Sequence, residues 1–301
     1  MSSTIRTRWN LLQWIDGHVD DHRELANDRI EWFRAVPFIL LHVACLGVFF
    51  VGVSPVALAV AGALFVVRMF FITAFYHRYF SHRAFRASRF FQLCMGIAGC
   101  TAGQRGPLWW AGHHRHHHAH ADSPADYHSP REKGFLWSHT GWFLTEAAFA
   151  TPVALLPDFE EYPELRLLDR FDWVPFVLLG VGLGVLGGAQ VLFWGFFVST
   201  VLLYHSTYTI NSFAHRFGSR RFATRDDSRN NFALALLTLG EGWHNNHHHY
   251  PASARQGFYW WEIDLSYYGL WLMSKLHLIK DLRGVPARAL ALRRIDAGAG
   301  R

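Results

Sequence analysis

Two stretches of the chain are almost free of charge: residues 36–76, VPFILLHVACLGVFFVGVSPVALAVAGALFVVRMFFITAFY, and residues 173–210, WVPFVLLGVGLGVLGGAQVLFWGFFVSTVLLYHSTYTI. Each is about 40 residues long, twice the roughly 20 that a helix needs to cross a bilayer. Near their middles stand the turn-forming pairs Ser54-Pro55 and Gly187-Gly188. The pattern predicts two helical hairpins, four spans in all.

Two shorter apolar stretches, 90–100 and 135–156, are interrupted by Gly, Thr, Ser, His, Glu and Pro. Such broken segments read as interfacial or re-entrant helices rather than spans. Of the 29 Lys and Arg, only Arg68 falls inside a proposed span. The positive-inside rule then places the N-terminal, central and C-terminal segments together on the cytosolic side. The expected fold is an all-α integral membrane protein: four transmembrane helices in two hairpins under a cytosolic helical cap. Residues 1–35 are expected as a cytosolic N-terminal segment, 36–282 as the membrane and catalytic domain, and 283–301 as a cytosolic C-terminal tail. The first 35 residues lack the uninterrupted apolar core of a signal peptide, so the N-terminus is expected to stay in the cytosol. The membrane would be the inner membrane of a bacterium or the endoplasmic reticulum of a eukaryote.

A net charge of +6 could indicate a nucleic-acid partner, but the chain has no basic helix, zinc-finger spacing or RNP-like strand. Topology accounts for the charge instead. The three cysteines, Cys45, Cys94 and Cys100, have no paired spacing and read as buried thiols. Arg68 is an intramembrane cation, expected to pair within the bundle or snorkel to the interface.

Histidine carries the candidate chemistry. Four clusters stand out among the 20 histidines: HRYFSH with His77 and His82, HHRHHH over 113–118, NSFAH with Asn211 and His215, and HNNHHH over 244–249. The first follows the second span directly and the third follows the fourth, so all should meet at one membrane face. His114, His117 and His118 have HxxHH spacing, and His244, His247 and His248 repeat it. On a helix, positions i, i+3 and i+4 share a face, so each box can aim three imidazoles together. His77 and His82 lie about 140° apart on an α-helix, and can converge only where the helix ends or bends.

Nine histidines exceed what one four- to six-coordinate ion accepts, so two metals are expected. Asn211 is a weak ligand that could hold a metal-bound water. Asp122 and Asp126 are candidates to orient ligand imidazoles, and so is Glu241. There is no HExxH motif for a zinc hydrolase, and one ExxH, Glu241 to His244, where a carboxylate-bridged di-iron bundle needs two. A membrane metal transporter is the rival from another class, but transporters place ionisable residues at mid-bilayer and these histidines stand at span ends.

The order HxxxxH, HxxHH, NxxxH, HxxHH, threaded between two hairpins, resembles the membrane fatty acyl desaturases, especially the delta-9 acyl-CoA type. The resemblance covers roughly residues 38–282 and includes HRYFSHRAF, DYHSP, FLWSHTGW and GEGWHNNHHHYP. It implies two Fe ions that use O2 to remove two hydrogens from an acyl chain, leaving a cis double bond. The implied ligands are His77, His82, His114, His117, His118, His215, His244, His247 and His248, with Asn211 acting through water. A histidine-box hydroxylase or ketolase is the near alternative, since the same oxidant can insert oxygen.

The substrate implied is an acyl-CoA, with an acyl-lipid as alternative. Gly112 and His113 stand where the animal-type enzymes carry the Arg-Asp pair that helps bind CoA. No haem-binding His-Pro-Gly-Gly region occurs, so electrons are expected from a separate ferredoxin, rubredoxin or cytochrome b5 with its reductase. The acyl chain needs a dry tunnel, and Thr73, Met69, Phe65 and Ala61 on the second span are expected to form its floor. Ordinary helix packing would give the same four-residue recurrence.

Overall fold

The computed structural model describes residue 17, residues 28–159 and residues 161–295. Most of the expected N-terminal segment and the last six residues of the expected tail therefore lie outside the described residues.

Among the described residues, three helices are long and apolar enough to cross a membrane: α1, Trp32–Val51; α2, Pro55–Ser81; and a 40-residue segment, Trp173–Ser212. Between α1 and α2 the chain turns at Gly52, whose φ of 67° suits a residue without Cβ. Ser54 then caps α2, its hydroxyl accepting from the Ala57 amide at 3.2 Å, with Pro55 in the first turn.

The 40-residue segment is not one rod. In a straight helix Phe176 and Phe196 would stand about 30 Å apart, yet their ring centroids are 4.5 Å apart. The chain reverses at Gly188, where φ is 68° and ψ −173°. Its two legs, 173–187 and 189–212, form a second hairpin. The second turn falls within the pair read from the sequence, and the first, from Gly52, ends on Ser54-Pro55. Large apolar side chains cover the outside of both hairpins, including Phe49 at 81%, Phe50 at 88% and Leu186 at 90% exposure near the turns. Such a surface fits lipid rather than water.

Arg68 is buried among hydroxyls. Its guanidinium donates to Thr200 Oγ1 at 2.7 Å and Ser199 Oγ at 2.8 Å, with further bonds to the Leu64 and Thr101 carbonyls. Pairing within the bundle is met by neutral acceptors rather than a carboxylate.

The stretch 90–100 forms α3, Arg89–Cys100, which exposes Phe90 and buries Met95, Gly96 and Cys100. Cys100 is buried, whereas Cys45 and Cys94 are only half-buried. Residues 135–156 break into short turns rather than a continuous helix. The polar cap is built from α4, Pro107–His120, and α5, Pro163–Arg170, followed after the second hairpin by α6, Phe232–Leu237, α7, His244–His249, α8, Leu265–Lys275, and α9, Ala287–Ala291. Asp169 on α5 caps α4, its Oδ1 accepting from the Leu108 and Trp109 amides at 3.0 and 2.9 Å. A short antiparallel pair, Arg86–Ala87 with Ile279–Lys280, ties the end of α2 to the C-terminal region.

Residues 283–295, the described part of the expected tail, bond to the cap. Ala223 N bonds to Arg293 O at 2.7 Å, Ile295 N to Arg221 O at 2.8 Å, and the Ala289 carbonyl accepts from His249 Nε2 at 2.7 Å. These bonds satisfy backbone groups of the 221–223 loop, so the segment packs onto the cap.

Candidate metal centre

The last turns of α2, Phe71–Ser81, are wound as a π-helix that ends at His82. Because π winding closes bonds from i to i+5, residues five apart come nearly into line. His77 and His82 are thereby brought together, with ring centroids 5.0 Å apart. The sequence anticipated an end or bend between them; a widened helix does the work, and Ser81 Oγ donates to Tyr76 O at 2.9 Å alongside.

Each HxxHH box divides its histidines. His77, His82, His114, His118 and His247 form one group, and His117, His215, His244 and His248 another, each with ring nitrogens within 4.8 Å of one another. At 100° per residue, i+3 and i+4 fall on opposite sides of position i. On α4 the i and i+4 rings enter the first group and i+3 the second; on α7 this is reversed. The expectation that a box aims at one place is corrected accordingly. The groups adjoin, with His118 and His248 stacked at 4.4 Å.

In the first group His77 Nε2 is 3.0 Å from His247 Nε2, which is 2.9 Å from His118 Nε2. That atom is 3.0 Å from His114 Nε2, which is 2.9 Å from His82 Nε2. A ring nitrogen has one proton or one in-plane lone pair, so it cannot serve two such neighbours by hydrogen bonding. One shared cation can serve all five. Ligand nitrogens about 2.1 Å from a metal and at right angles to one another would be about 3.0 Å apart, matching these separations. In the second group His215 and His244 Nε2 are likewise 3.0 Å apart, and His248 Nε2 is buried with no hydrogen-bond partner among the described residues. Both donor sets fit metal ions.

Carboxylates fix four of the rings through Nδ1. Asp126 Oδ2 is 3.0 Å from His117, Asp122 Oδ2 is 2.7 Å from His215, and Asp226 Oδ2 is 2.9 Å from His248. Glu241 contacts His77 Nδ1 and also accepts from Gln256 Nε2 at 3.0 Å. With Nδ1 so engaged, Nε2 is left to face a metal. Asp226 is the member sequence reasoning missed, since it lies 22 residues before its ring within a basic loop. His128, which lies outside all four histidine clusters, is buried and stacked on His117 at 4.4 Å. We expect Asp226→Asn to weaken metal affinity by about 10- to 100-fold, the range usual for such supporting groups. Metal titration of the stripped protein measures this, and unchanged affinity would assign Asp226 to packing alone.

Burial, reinforced by neighbouring imidazoles, pushes the pKa values of His82, His114, His118, His244 and His247 well below 6.5. Burial takes His248 to about 4, although Asp226 pulls upward. Burial also disfavours the charged form of His117, but Asp126 more than offsets it and its pKa is raised. The five depressed imidazoles and His248 stay neutral near pH 7, as ligation requires. Between an ordinary pKa of about 6.5 and the depressed folded values, the unfolded chain binds more protons. The metal-free protein should therefore lose stability as pH falls from about 6.5 toward 4, the smaller contribution of His117 having opposite sign. Thermal unfolding of stripped protein from pH 7 to 5 tests this; a flat profile contradicts it.

A cavity of about 300 Å³ borders the centre. His114 and Asn211 line it, as do Phe38 and Leu41 of α1, Trp109 and Trp110 of α4, Trp142, Phe143, Tyr204 and Tyr208. Its charged part is Arg34, Arg105 and Asp172, where burial raises the Asp172 carboxyl to about 6 against the pull of Arg105. Thr73, Met69, Phe65 and Ala61 are not in its wall. Met69 and Ala61 are buried in packing, Phe65 lies against the core cluster, and Thr73 Oγ1 bonds Ser266 Oγ at 2.6 Å. The cavity bordering the centre is walled by α1, α4 and the second hairpin, and the four α2 residues expected at a tunnel floor do not line it.

Apolar hairpins carrying at one end two adjoining imidazole groups that could hold metal ions define the class: a candidate metal centre on a scaffold apolar enough to cross a membrane. The fatty acid desaturase family profile matches residues 53–271. An sn-2 palmitoyl-lipid 9-desaturase of Nostoc sp. (strain 36) is 39% identical over 211 residues, 67% of this chain and 73% of the relative. An sn-1 stearoyl-lipid 9-desaturase of Anabaena variabilis is 36% identical over 264 residues, 85% of this chain and 94% of the relative. An acyl-CoA C20 Delta5-desaturase of Anemone leveillei is 35% identical over 203 residues, 66% of this chain and 65% of the relative. The chain belongs to the fatty acid desaturase family and is an oxidoreductase of acyl chains.

Proposed function

We propose that this chain is a four-span, di-iron, O2-dependent acyl-lipid desaturase that places a cis double bond at the ninth position of a saturated chain. The observation carrying this is an aromatic-walled cavity bordered by His114 of the first imidazole group and by Asn211. His77, His82, His114, His118 and His247 would hold one iron. His117, His215, His244 and His248 would hold the other, with Asn211 positioning a water. Bound iron with O2 supplies the oxidising power that unactivated methylenes demand and no side-chain acid or base can provide.

The remaining work belongs to the chain's own residues. Trp109, Trp110, Trp142 and Tyr208 exclude water from the cavity and restrict the acyl chain to few conformations. Gln104 Nε2 donates to Thr207 Oγ1 at 2.8 Å and links two cavity walls. Both termini and the clusters are assigned to the cytosolic side, where the cations gather, and residues 36–282 to the catalytic unit.

A lipid substrate is favoured over acyl-CoA at Gly112. A Cβ there would meet Pro152 Cδ at 2.7 Å, so this position excludes the arginine that animal-type enzymes use for CoA. Arg131 and Lys133, two cations following the second box, are engaged by Asp227 and Asp28 rather than left free for a phosphate. The test is expression in a desaturase-deficient host, with fatty acids analysed separately in glycerolipid and acyl-CoA fractions by mass spectrometry. A 9-monoene appearing first in glycerolipid is expected. First appearance as acyl-CoA would sink the lipid substrate, and a hydroxylated product would move the reading to an oxygenase.

Cavity shape gives a second expectation. Leu41→Trp, which fills the cavity, should shift product toward shorter chains, while Phe65→Leu should leave the profile unchanged. Equal shifts from both would return α2 to the substrate path.

A further inference from the structure

The desaturase reading above, on which this inference rests, fixes an electron balance. Reduction of O2 to two waters takes four electrons and four protons. The acyl chain gives up two hydrogen atoms, so two further electrons and two protons must arrive from outside. The electrons need a carrier, and a carrier needs a surface close to the metal centre.

One surface stands out by charge. Residues 216–229 and 283–295 contain nine arginines and two aspartates. Neither aspartate is free to neutralise it, since Asp226 is engaged by His248 and Asp227 pairs with Arg131 at 3.0 Å, and of the nine arginines Arg221 alone meets a carboxylate among the described residues, that of Glu262. The two segments form one face, because Phe222 and Arg294 are bridged and Ala223 N bonds to Arg293 O at 2.7 Å. Arg225, Arg288, Arg293 and Arg294 are exposed, and their side chains have no carboxylate partner among the described residues. Clustered like charges repel one another and draw an oppositely charged partner.

The same face lies one side chain from the candidate metal centre. Arg225 is followed directly by Asp226, whose carboxylate is 2.9 Å from His248 Nδ1. Phe222 is fully buried beneath the surface and stacked on His249 at 3.9 Å, next in sequence to His248. We propose that this arginine face docks an acidic one-electron carrier protein beside His248. Anionic lipid headgroups are the other chemistry that such a face could attract, but they have no use for proximity to the metal centre. Charge complementarity would speed encounter and orient the carrier, and both effects weaken with salt.

The experiment uses the full chain in nanodiscs and an acidic plant-type ferredoxin as probe, with Kd measured at low and moderate salt. Binding should weaken at least tenfold between about 20 and 200 mM salt, and at least tenfold in the Arg225→Glu/Arg293→Glu variant. Arg225→Lys/Arg293→Lys should retain it. Desaturation driven by ferredoxin should fall in the charge-reversed variant, whereas desaturation driven by a small uncharged mediator should not. Absence of ferredoxin binding, or a Kd unmoved by charge reversal, overturns the proposal. So does an equal loss with carrier and mediator, or a charge-reversal effect confined to nanodiscs holding anionic lipid. If ferredoxin binds as expected but no desaturated product forms with either reductant, docking stands and the desaturase reading falls.

Discussion

His247→Ala is expected to abolish desaturated product, a loss of at least about 100-fold, and to lower bound metal from two ions per chain toward one. His247 Nε2 stands 3.0 Å from His77 Nε2 and 2.9 Å from His118 Nε2, at the centre of the first imidazole group. Its removal takes away one of five convergent nitrogens and opens a buried gap beside the other four. Even groups that merely orient a metal ligand cost about 10- to 100-fold when removed, so loss of a ligand should cost more. Metal content by elemental analysis and product by mass spectrometry measure the two effects separately. His120→Ala is the control within the same histidine run, because His120 lies outside both groups and its Nδ1 bonds only to the His116 carbonyl one turn back. Equal losses from the two variants would show that the run acts as a loose metal buffer rather than two defined sites.

That contrast also shows which features could be read before the structure. The hairpins were legible because lipid exposure demands uninterrupted apolar runs, and because Ser54-Pro55 and Gly188 are local turn chemistry. The histidine set was legible because spacing within a box is local. Convergence was not. HxxxxH works through π winding of Phe71–Ser81, which no periodicity in the sequence announces. The division of each HxxHH between two groups depends on how α4 and α7 face one another, a tertiary property.

The supporting carboxylates follow the same divide. Asp122 and Asp126 lie within a few residues of the second box and were found by proximity. Asp226 reaches His248 only through the fold of the 216–229 loop. The cavity beside the centre was not legible for a related reason. A helix preceding a ligand is a natural guess for the tunnel floor, but the face of α2 bearing Met69 and Thr73 is consumed by packing against the core and Ser266. Aromatic side chains from α1, α4 and the second hairpin build the wall instead.

Arg78→Met is expected to cost about 3–5 kcal/mol of stability, the range for stripping a buried charge network of one partner. Arg78 is 1% exposed, with Nη1 2.9 Å from Asp264 Oδ1 and Nη2 3.1 Å from Glu241 Oε1. Its Nη1 also donates to the Ala254 carbonyl at 2.8 Å. Methionine keeps much of the volume but leaves two buried carboxylates facing no cation. Asp264 cannot relax away freely, because it accepts from the Gln256 and Tyr267 amides and caps α8. Burial disfavours ionised Glu241, and its contacts with His77 and Arg78 hold its pKa below the ordinary value. Without Arg78 that carboxyl takes up a proton more readily and ceases to hold His77 as a charged partner. The stability loss should therefore come with weaker metal binding in the first group. Glu241→Gln removes one of the stranded charges, so the double variant should lose less than the sum of the two single losses. Unfolding of purified metal-loaded protein in detergent gives the cycle. Losses that add within about 0.5 kcal/mol would show that Arg78 and Glu241 act independently and that the cation stabilises the cap by packing alone.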